Sequence, residues 1–369
     1  MTELLNQKYN IQLEVLTPLS IGAGSESDWA KGVDYVVVEN TLYHLNLHKM
    51  RQCGIDMNKL AAFWAKKDQE SVLRIIGNQL PQVSDKVMEF PCNSDNDIKT
   101  FVTNQLSGRP LVPGSSLKGA IRSILFAHLR DADQMSDAAV FGSIKDGTDF
   151  MRFVRISDFE FEKTALVNTK IYNLFGQGDH WQGGWKHAFR EGTNTTFRQT
   201  GFNTVYECLM PHQTATGTIM LSETLWENML RFAPKLVHPC KTKKEEFFSH
   251  GEYEPIENLF YHISDHTYSY LVKEKAFFEK YSQGENASEI IKSINGLMHI
   301  TDDSIGDGRS CVFKMAAGSG FHSITGDWQY SSYDLDLNDR THKKKYKSRK
   351  IAIRGNRFSL MGFVKLTLQ

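Results

Sequence analysis

The stretch Leu111-Val112-Pro113-Gly114-Ser115-Ser116-Leu117-Lys118-Gly119-Ala120-Ile121-Arg122 constrains the fold more than any other, because an extended approach, a forced turn and a helix start follow one another within it. Pro113 and Gly114 stop a strand, and Ser115 or Ser116 is placed to accept from the first free backbone N–H groups of a helix. Apolar residues then recur at Leu117, Ala120, Ile121, Ile124, Leu125 and Leu129, so one helix face belongs to a core. Lys118 and Arg122, four residues apart, share the surface of that helix near its positive end, where a phosphate would meet two cations and free N–H donors. An ordinary capped helix with solvated cations is the plain alternative for an isolated segment of this kind.

The elements around it alternate in kind, which predicts an α+β chain. Ile11 to Leu16 alternates apolar and polar residues as a half-buried first strand does, then runs through Thr17-Pro18 into the Gly-rich loop Ile21 to Asp28. Asp34 to Val38 and Leu42 to Leu47 read as a hairpin, 55–80 as helical, and 81–108 as less regular. Met151 to Ser157 reads as a strand that leaves Arg152 and Arg155 on one edge, and Tyr206 to Leu209 and Thr216 to Leu221 as two short strands followed by a helix at Leu225 to Phe232. Ser288 to Met298 carries Ile290, Ile291, Ile294, Leu297 and Met298 at helical spacing, and Phe358 to Leu368 reads as a terminal strand. At 369 residues the chain exceeds the size at which one core stops growing, so two domains, or one with large insertions, are expected, divided as 1–203 and 204–369.

Lys plus Arg equals Asp plus Glu at 43 each, so an anionic partner must be held by local clustering rather than by overall charge. Two places cluster. Gly176 to Phe202 interleaves Trp181, Trp185, Lys186, Phe189, Arg190, Phe197 and Arg198 with little apolar periodicity, and reads either as a finger that stacks on unpaired bases or as a loop pinned by buried Trp. Near the C-terminus, Lys314 to Gly326 is small and rich in backbone donors, and His342 to Lys350, with Arg354 and Arg357 beyond, concentrates positive charge in a loop between ordered elements. Five scattered cysteines (Cys53, Cys92, Cys208, Cys240, Cys311) form no Cys-x-x-Cys pair, which argues against a zinc site or a disulfide framework and favours a reduced cytoplasm. No stretch approaches the roughly 18 apolar residues of a membrane helix, so a soluble protein without a membrane partner is expected.

Three segments in order, LTPLSIGAG, VPGSSLKGAIR and AAGSGFHSITG, resemble those of the RAMP superfamily of CRISPR-associated proteins. With DYVVVENTLYHLNLHKM and KSRKIAIRGNRFSLMGFVKL added, the combination is most similar to the family of fifth subunits of the type III-A Csm effector complex. The resemblance implies two ferredoxin-like, RNA-recognition-motif-like domains with β-α-β-β-α-β connectivity and long insertions. It also implies a non-catalytic subunit that caps the 3′ end of a crRNA guide, contacts the neighbouring RAMP backbone subunit and other Csm subunits, and is tied to 3′-trimming by host ribonucleases. Carried onto this chain, it places Ser116, Lys118 and Arg122 on guide phosphates, and Gly318, Ser319, Gly320 and His322 in a loop that approaches RNA. Lys314, Lys345 and Arg349 join them from the basic regions, and Gly22 and Gly24 lie in a first loop against RNA or a neighbouring subunit. No cofactor is expected. The competing expectation is a RAMP-type ribonuclease, using Asp28 or Asp34 in metal-dependent cleavage of guide-matched RNA, or His44 or His48 as acid or base in repeat processing.

Overall fold

The structure is a computed structural model that describes residues 6–92, 97–129, 136–145, 148–177, 180–187, 193–199, 201–222, 231, 254–281, 284–319 and 348–369. β1 (Asn6–Val15) buries Ile11, Leu13 and Val15 completely while the residues between them stay partly exposed, as the alternation requires. β2 (Tyr35–Val38) and β3 (Thr41–Leu45) form the expected hairpin. Three short helices follow, α1 (Leu47–Gln52), α2 (Met57–Trp64) and α3 (Gln69–Ile76), each begun by a side chain, Asn46, Asp56 or Asp68, that accepts from first-turn N–H groups. β4 (Ser84–Glu89) then pairs with β3, so the irregular region 81–108 contains a strand that the sequence reading omitted. This unit has its own small core, with Val36, Leu60, Val72, Ile76 and Val83 at its centre.

β5 (Leu111–Val112) leads into α4 (Gly114–Leu129), after which come α5 (Asp137–Phe141), β6 (Val154–Ile156) and β7 (Phe159–Glu160). The strand read over 151–157 is shorter than expected, because Phe150–Phe153 forms a 3-10 turn capped by Asp149. β8 (Ala165–Gln177), β9 (His180–Lys186) and β10 (Thr193–Asn194) form an antiparallel meander where a finger or pinned loop was expected. Trp185 explains it: the side chain is fully buried against Tyr172 and Phe358, and its indole N–H donates to the Glu285 carbonyl at 2.9 Å. β11 (Asn203–Cys208) and β12 (Thr214–Ser222) contain the two expected short strands. The helix read at Leu225 to Phe232 lies, apart from Arg231, outside the described residues.

The long helices α6 (Pro255–Tyr281) and α7 (Ala287–Asp307) pack on each other, and β13 (Ser310–Lys314), β14 (Ser348–Arg354), β15 (Arg357–Leu360) and β16 (Phe363–Leu368) complete the chain. The expected terminal strand is thus two, divided at Met361-Gly362, and the end of the basic run is a strand, not a loop.

Two antiparallel sheets organise the molecule. The first has the order β13-β16-β1-β12-β6; within it β1, β6, β12 and β16 stand in the order 4-1-3-2 of a ferredoxin-like β-α-β-β-α-β unit, with β13 added at the edge. The second has the order β10-β9-β8-β14-β15, and β11 also pairs with β8. Both sheets draw strands from each side of position 203, so the division 1–203 and 204–369 is not followed by the hydrogen bonding: residue 203 begins β11, and β1 lies between β12 and β16. The main core joins the inner face of the first sheet to the apolar stripe of α4, through Leu117, Ile121, Ile124 and Leu125, and to the start of α6.

Candidate nucleic-acid interface

Gly114 opens α4 because nothing larger fits: a Cβ there would lie 2.1 Å from the Ile156 carbonyl oxygen. Its backbone N–H donates to the Asp158 carboxylate at 2.8 Å, so the chain itself supplies an anion at this helix end. Ser116 is half-buried in the first turn, and its N–H donates to the Pro113 carbonyl at 2.9 Å. The cations one and two turns further on differ in kind. Arg122 is held by Asp137 at 3.1 Å and by Asp149 at 3.0 Å, with its guanidinium stacked 4.1 Å from the Phe141 ring centroid. Lys118 makes no hydrogen bond or ion pair among the described residues, and burial pulls its pKa below the ordinary lysine value, with the charges of Arg122 and Arg155 adding to that and Asp149 opposing it.

A cleft of about 640 Å³ opens beside these two, lined also by Lys145, Arg152 and Asp149. Arg152 and Arg155 are exposed, as the sequence led one to expect, and Arg155 projects from β6 at the sheet edge. Sequence reasoning missed Lys145; its only signal was a lysine in a short polar loop before the next core segment. Lys118, Lys145 and Arg152 line this cleft beside Arg122, which Asp137 and Asp149 hold, and together they give it the character of a phosphate track.

The other expected residues gather elsewhere. The segment between β1 and the first loop, the segment after β13 and the approach to β16 meet in one hydrogen-bonded knot: Ala317 N–H donates to the Ser20 carbonyl at 3.0 Å, Gly362 N–H to the Pro18 carbonyl at 3.0 Å, and Met315 N–H to the Gly362 carbonyl at 2.8 Å. Gly318 is buried there, and a Cβ on it would lie 2.1 Å from the Met361 carbonyl oxygen, so this glycine serves close packing between two backbones. Ser319 is half-buried beside it, and its hydroxyl oxygen has no hydrogen-bond partner among the described residues. Lys314 ends β13 and donates to the Tyr270 hydroxyl at 2.8 Å; burial pushes its pKa down to about 8, with Arg349 and Lys350 adding to the fall and Glu274 resisting it. Lys350 donates to the Tyr206 hydroxyl at 2.7 Å and to the Ala317 carbonyl at 3.1 Å.

Arg349 is corrected outright as a surface cation. It is 6% exposed, donates to both carboxylate oxygens of the buried Glu274 at 3.1 and 2.9 Å, and stacks 3.4 Å from the Phe277 ring centroid. Such a pair is a structural clamp that no phosphate can share without breaking it. Gly22 and Gly24 are exposed in the first loop, where Gly22 bridges to Phe101 and Gly24 adopts a φ of 105° before a 3-10 turn. Gly320, His322 and Lys345 lie outside the described residues. The α4 cleft borders β6 and the knot borders β13, at opposite edges of a sheet whose four strand-to-strand steps span about 19 Å.

The residues weighed for cleavage are engaged. Asp28 pairs with Lys99, Asp34 accepts from the Ala30 N–H at 2.7 Å to close a turn, and His48 contacts Gln52 at 2.9 Å on α1. His44 holds Asp85 through Nδ1 at 2.6 Å and stacks on Trp29 with 4.3 Å between centroids. Among the described residues no group of three or more His, Cys, Asp or Glu is arranged to hold a metal ion.

A ferredoxin-like sheet with long insertions, fronted by a cationic cleft and a Gly-containing knot, defines an α+β protein of the ferredoxin-like class. The RAMP superfamily model matches residues 12–311, and the chain belongs to that superfamily. Two solved structures share its fold over nearly the whole length. One is a chain of a "Csm-crRNA-target RNA ternary complex in type III-A CRISPR-Cas system", 18% identical, with 98% of this chain and 100% of that one covered and a TM-score of 0.63. The other is "T.onnurineus Csm5", 17% identical, with 96% and 99% covered and a TM-score of 0.59. No curated protein matches the chain. No helix among the described residues is long and apolar enough to cross a membrane.

Proposed function

We propose that this chain is a non-catalytic crRNA-binding subunit of a type III-A Csm-type complex, seated at the 3′ end of the guide against the neighbouring backbone subunit. The observation that carries this reading is the likeness, over nearly the whole length of both chains, to the structures named above. The cationic cleft at Lys118, Lys145 and Arg152 supports it physically, since sequence-independent phosphate contacts are what a guide-holding subunit requires. The engagement of Asp28 and Asp34 within the fold supports holding RNA over cutting it. Host 3′-trimming ribonucleases are partners of the assembled complex in this reading, acting on guide that extends past the cap, and the chain works in the cytoplasm.

The test is co-expression with the other Csm-type subunits and a guide, followed by purification and nuclease footprinting. The expected result is a complex in which removal of this chain shortens the protected guide only at its 3′ end. A footprint unchanged by its removal overturns the proposal. Cleavage of guide-matched or repeat RNA by the purified chain, abolished by Asp28→Ala or His44→Ala, would favour the ribonuclease reading instead.

A further inference from the structure

Between the edge strand β4 and the second sheet lies a cavity of about 490 Å³, bounded by Met88, Phe90, Gln199, Met210 and Arg354, with Asn168 among its walls. That volume falls within the roughly 300–1,000 Å³ of small-ligand sites. Asn168 stands on the same face of β8 as Lys170, and Asn203 lies opposite Lys170 on β11. Lys170 donates to the Asn203 amide oxygen at 3.2 Å, so those two satisfy each other. Asn168 is left over: it is 2% exposed, its Oδ1 has no partner, and its side chain makes no hydrogen bond among the described residues. A buried amide without a partner costs about 1–3 kcal/mol, a cost that a ligand presenting an adjacent donor and acceptor removes.

The mouth of the cavity shows which ligand. Arg354 also lines an adjoining cleft of about 470 Å³ together with Lys292, Arg357 and His212. Lys292, Arg354 and Arg357 are exposed and have no carboxylate partner among the described residues, although Glu289 and Glu89 border the two spaces. An amide in a cavity of mixed lining, where Met88, Phe90 and Met210 stand beside Glu89, Thr164 and Gln199 and where Arg354 leads on to Lys292 and Arg357, matches a nucleotide: base edge on the amide, methionine and aromatic carbon on the base, phosphates on the cations. A peptide segment would use the amide equally well but has no need of the cations.

We propose that the cavity above Asn168 receives one unpaired base of the bound RNA, whose flanking phosphates run over Arg354 into the cationic cleft. This rests on the RNA-holding reading given above. The test probes base edges chemically, with dimethyl sulfate and carbodiimide, on single-stranded guide RNA bound to the full chain, and compares the parent with Asn168→Leu. The expected result is one base protected in the parent and exposed in Asn168→Leu, with affinity lowered about three- to tenfold. Asn168→Asp, which keeps the shape and removes the donor, serves if the leucine variant does not fold, and is expected to expose the same base.

If RNA binds with unchanged protection and affinity in both variants, the cavity holds solvent alone and the inference falls while the RNA-holding reading stands. If the variants lose a neighbouring protein subunit and no base protection, the cavity is a peptide site and the inference falls likewise. If the parent binds no RNA, alone or in a complex, the functional reading itself fails and this inference fails with it.

Discussion

The cations beside α4 and those at the root of the C-terminal strands look alike in sequence, yet the fold uses them in opposite ways. Lys118, Lys145 and Arg152 line an open cleft beside Arg122, which Asp137 and Asp149 tie down. Lys314, Arg349 and Lys350 point inward to Tyr270, Glu274 and Tyr206 and hold sheet, helix and loop together. A basic run is therefore not by itself a binding surface; what decides is whether the fold has already supplied each cation with its anion or hydroxyl.

The comparison can be broken most forcefully at Arg349. Arg349→Ala leaves Glu274 charged and buried, and is expected to destabilise the chain by about 3–5 kcal/mol in denaturant unfolding; a loss below 1 kcal/mol on that measurement would return Arg349 to the surface. Arg122→Ala comes next, with about 1–3 kcal/mol of stability lost, because Asp149 and Asp137 lose their shared partner and Phe141 its stacked cation. Lys118→Ala with Lys145→Ala should do the reverse. Folding stability stays within about 0.5 kcal/mol of the parent, RNA affinity falls about tenfold, and the dependence of affinity on salt flattens by about two phosphate contacts. An unchanged salt slope in a filter-binding titration would mean that the cleft does not carry phosphates.

The smallest effect is a matter of pH. Lys314 titrates near 8 in the fold against 10.5 when unfolded, so between those values the unfolded chain holds a proton that the folded chain has lost. Stability therefore rises with pH through that window and carries the full penalty below pH 8. Lys170, also depressed to about 8 by burial, acts in the same direction. Lys314→Met should remove its share of the rise, while Lys118→Met leaves most of the rise in place. Equal slopes for parent and Lys314→Met would count against a buried ammonium.

Where the local pattern carried the information, the sequence was legible. The stripe of α4, the alternation of β1 and the hairpin at Tyr35 to Leu45 follow from periodicity and turn residues alone. The meander of β8 to β10 did not, because Gly183, Gly184 and scattered aromatics mask its alternation, and Trp185 finds its partner a hundred residues on at Glu285. Nor did the inward turn of Arg349, whose partner Glu274 lies on a helix that no reading of the sequence had placed, although Ile256, Leu259, Phe260 and Ile263 repeat at helical spacing. The cleft was half legible. Helical spacing put Lys118 and Arg122 side by side, but only the tertiary arrangement shows that Asp137 and Asp149 hold one and not the other. The split of the site into two edges of one sheet was hidden for the same reason, since strand order is set by pairings between distant segments.

The seat of β1 between β12 and β16 has a consequence for how the molecule is made. Its first strand stays uncovered on one side through the synthesis of more than three hundred residues, until Phe363 to Leu368 arrive to cover it. Such a chain closes its central sheet late and slowly, through its most distant contacts. During that interval the uncovered edge of β1 offers any passing strand the hydrogen bonds that β16 will later take, so synthesis at low local concentration, or beside a chaperone, protects the one seam on which the rest of the sheet depends.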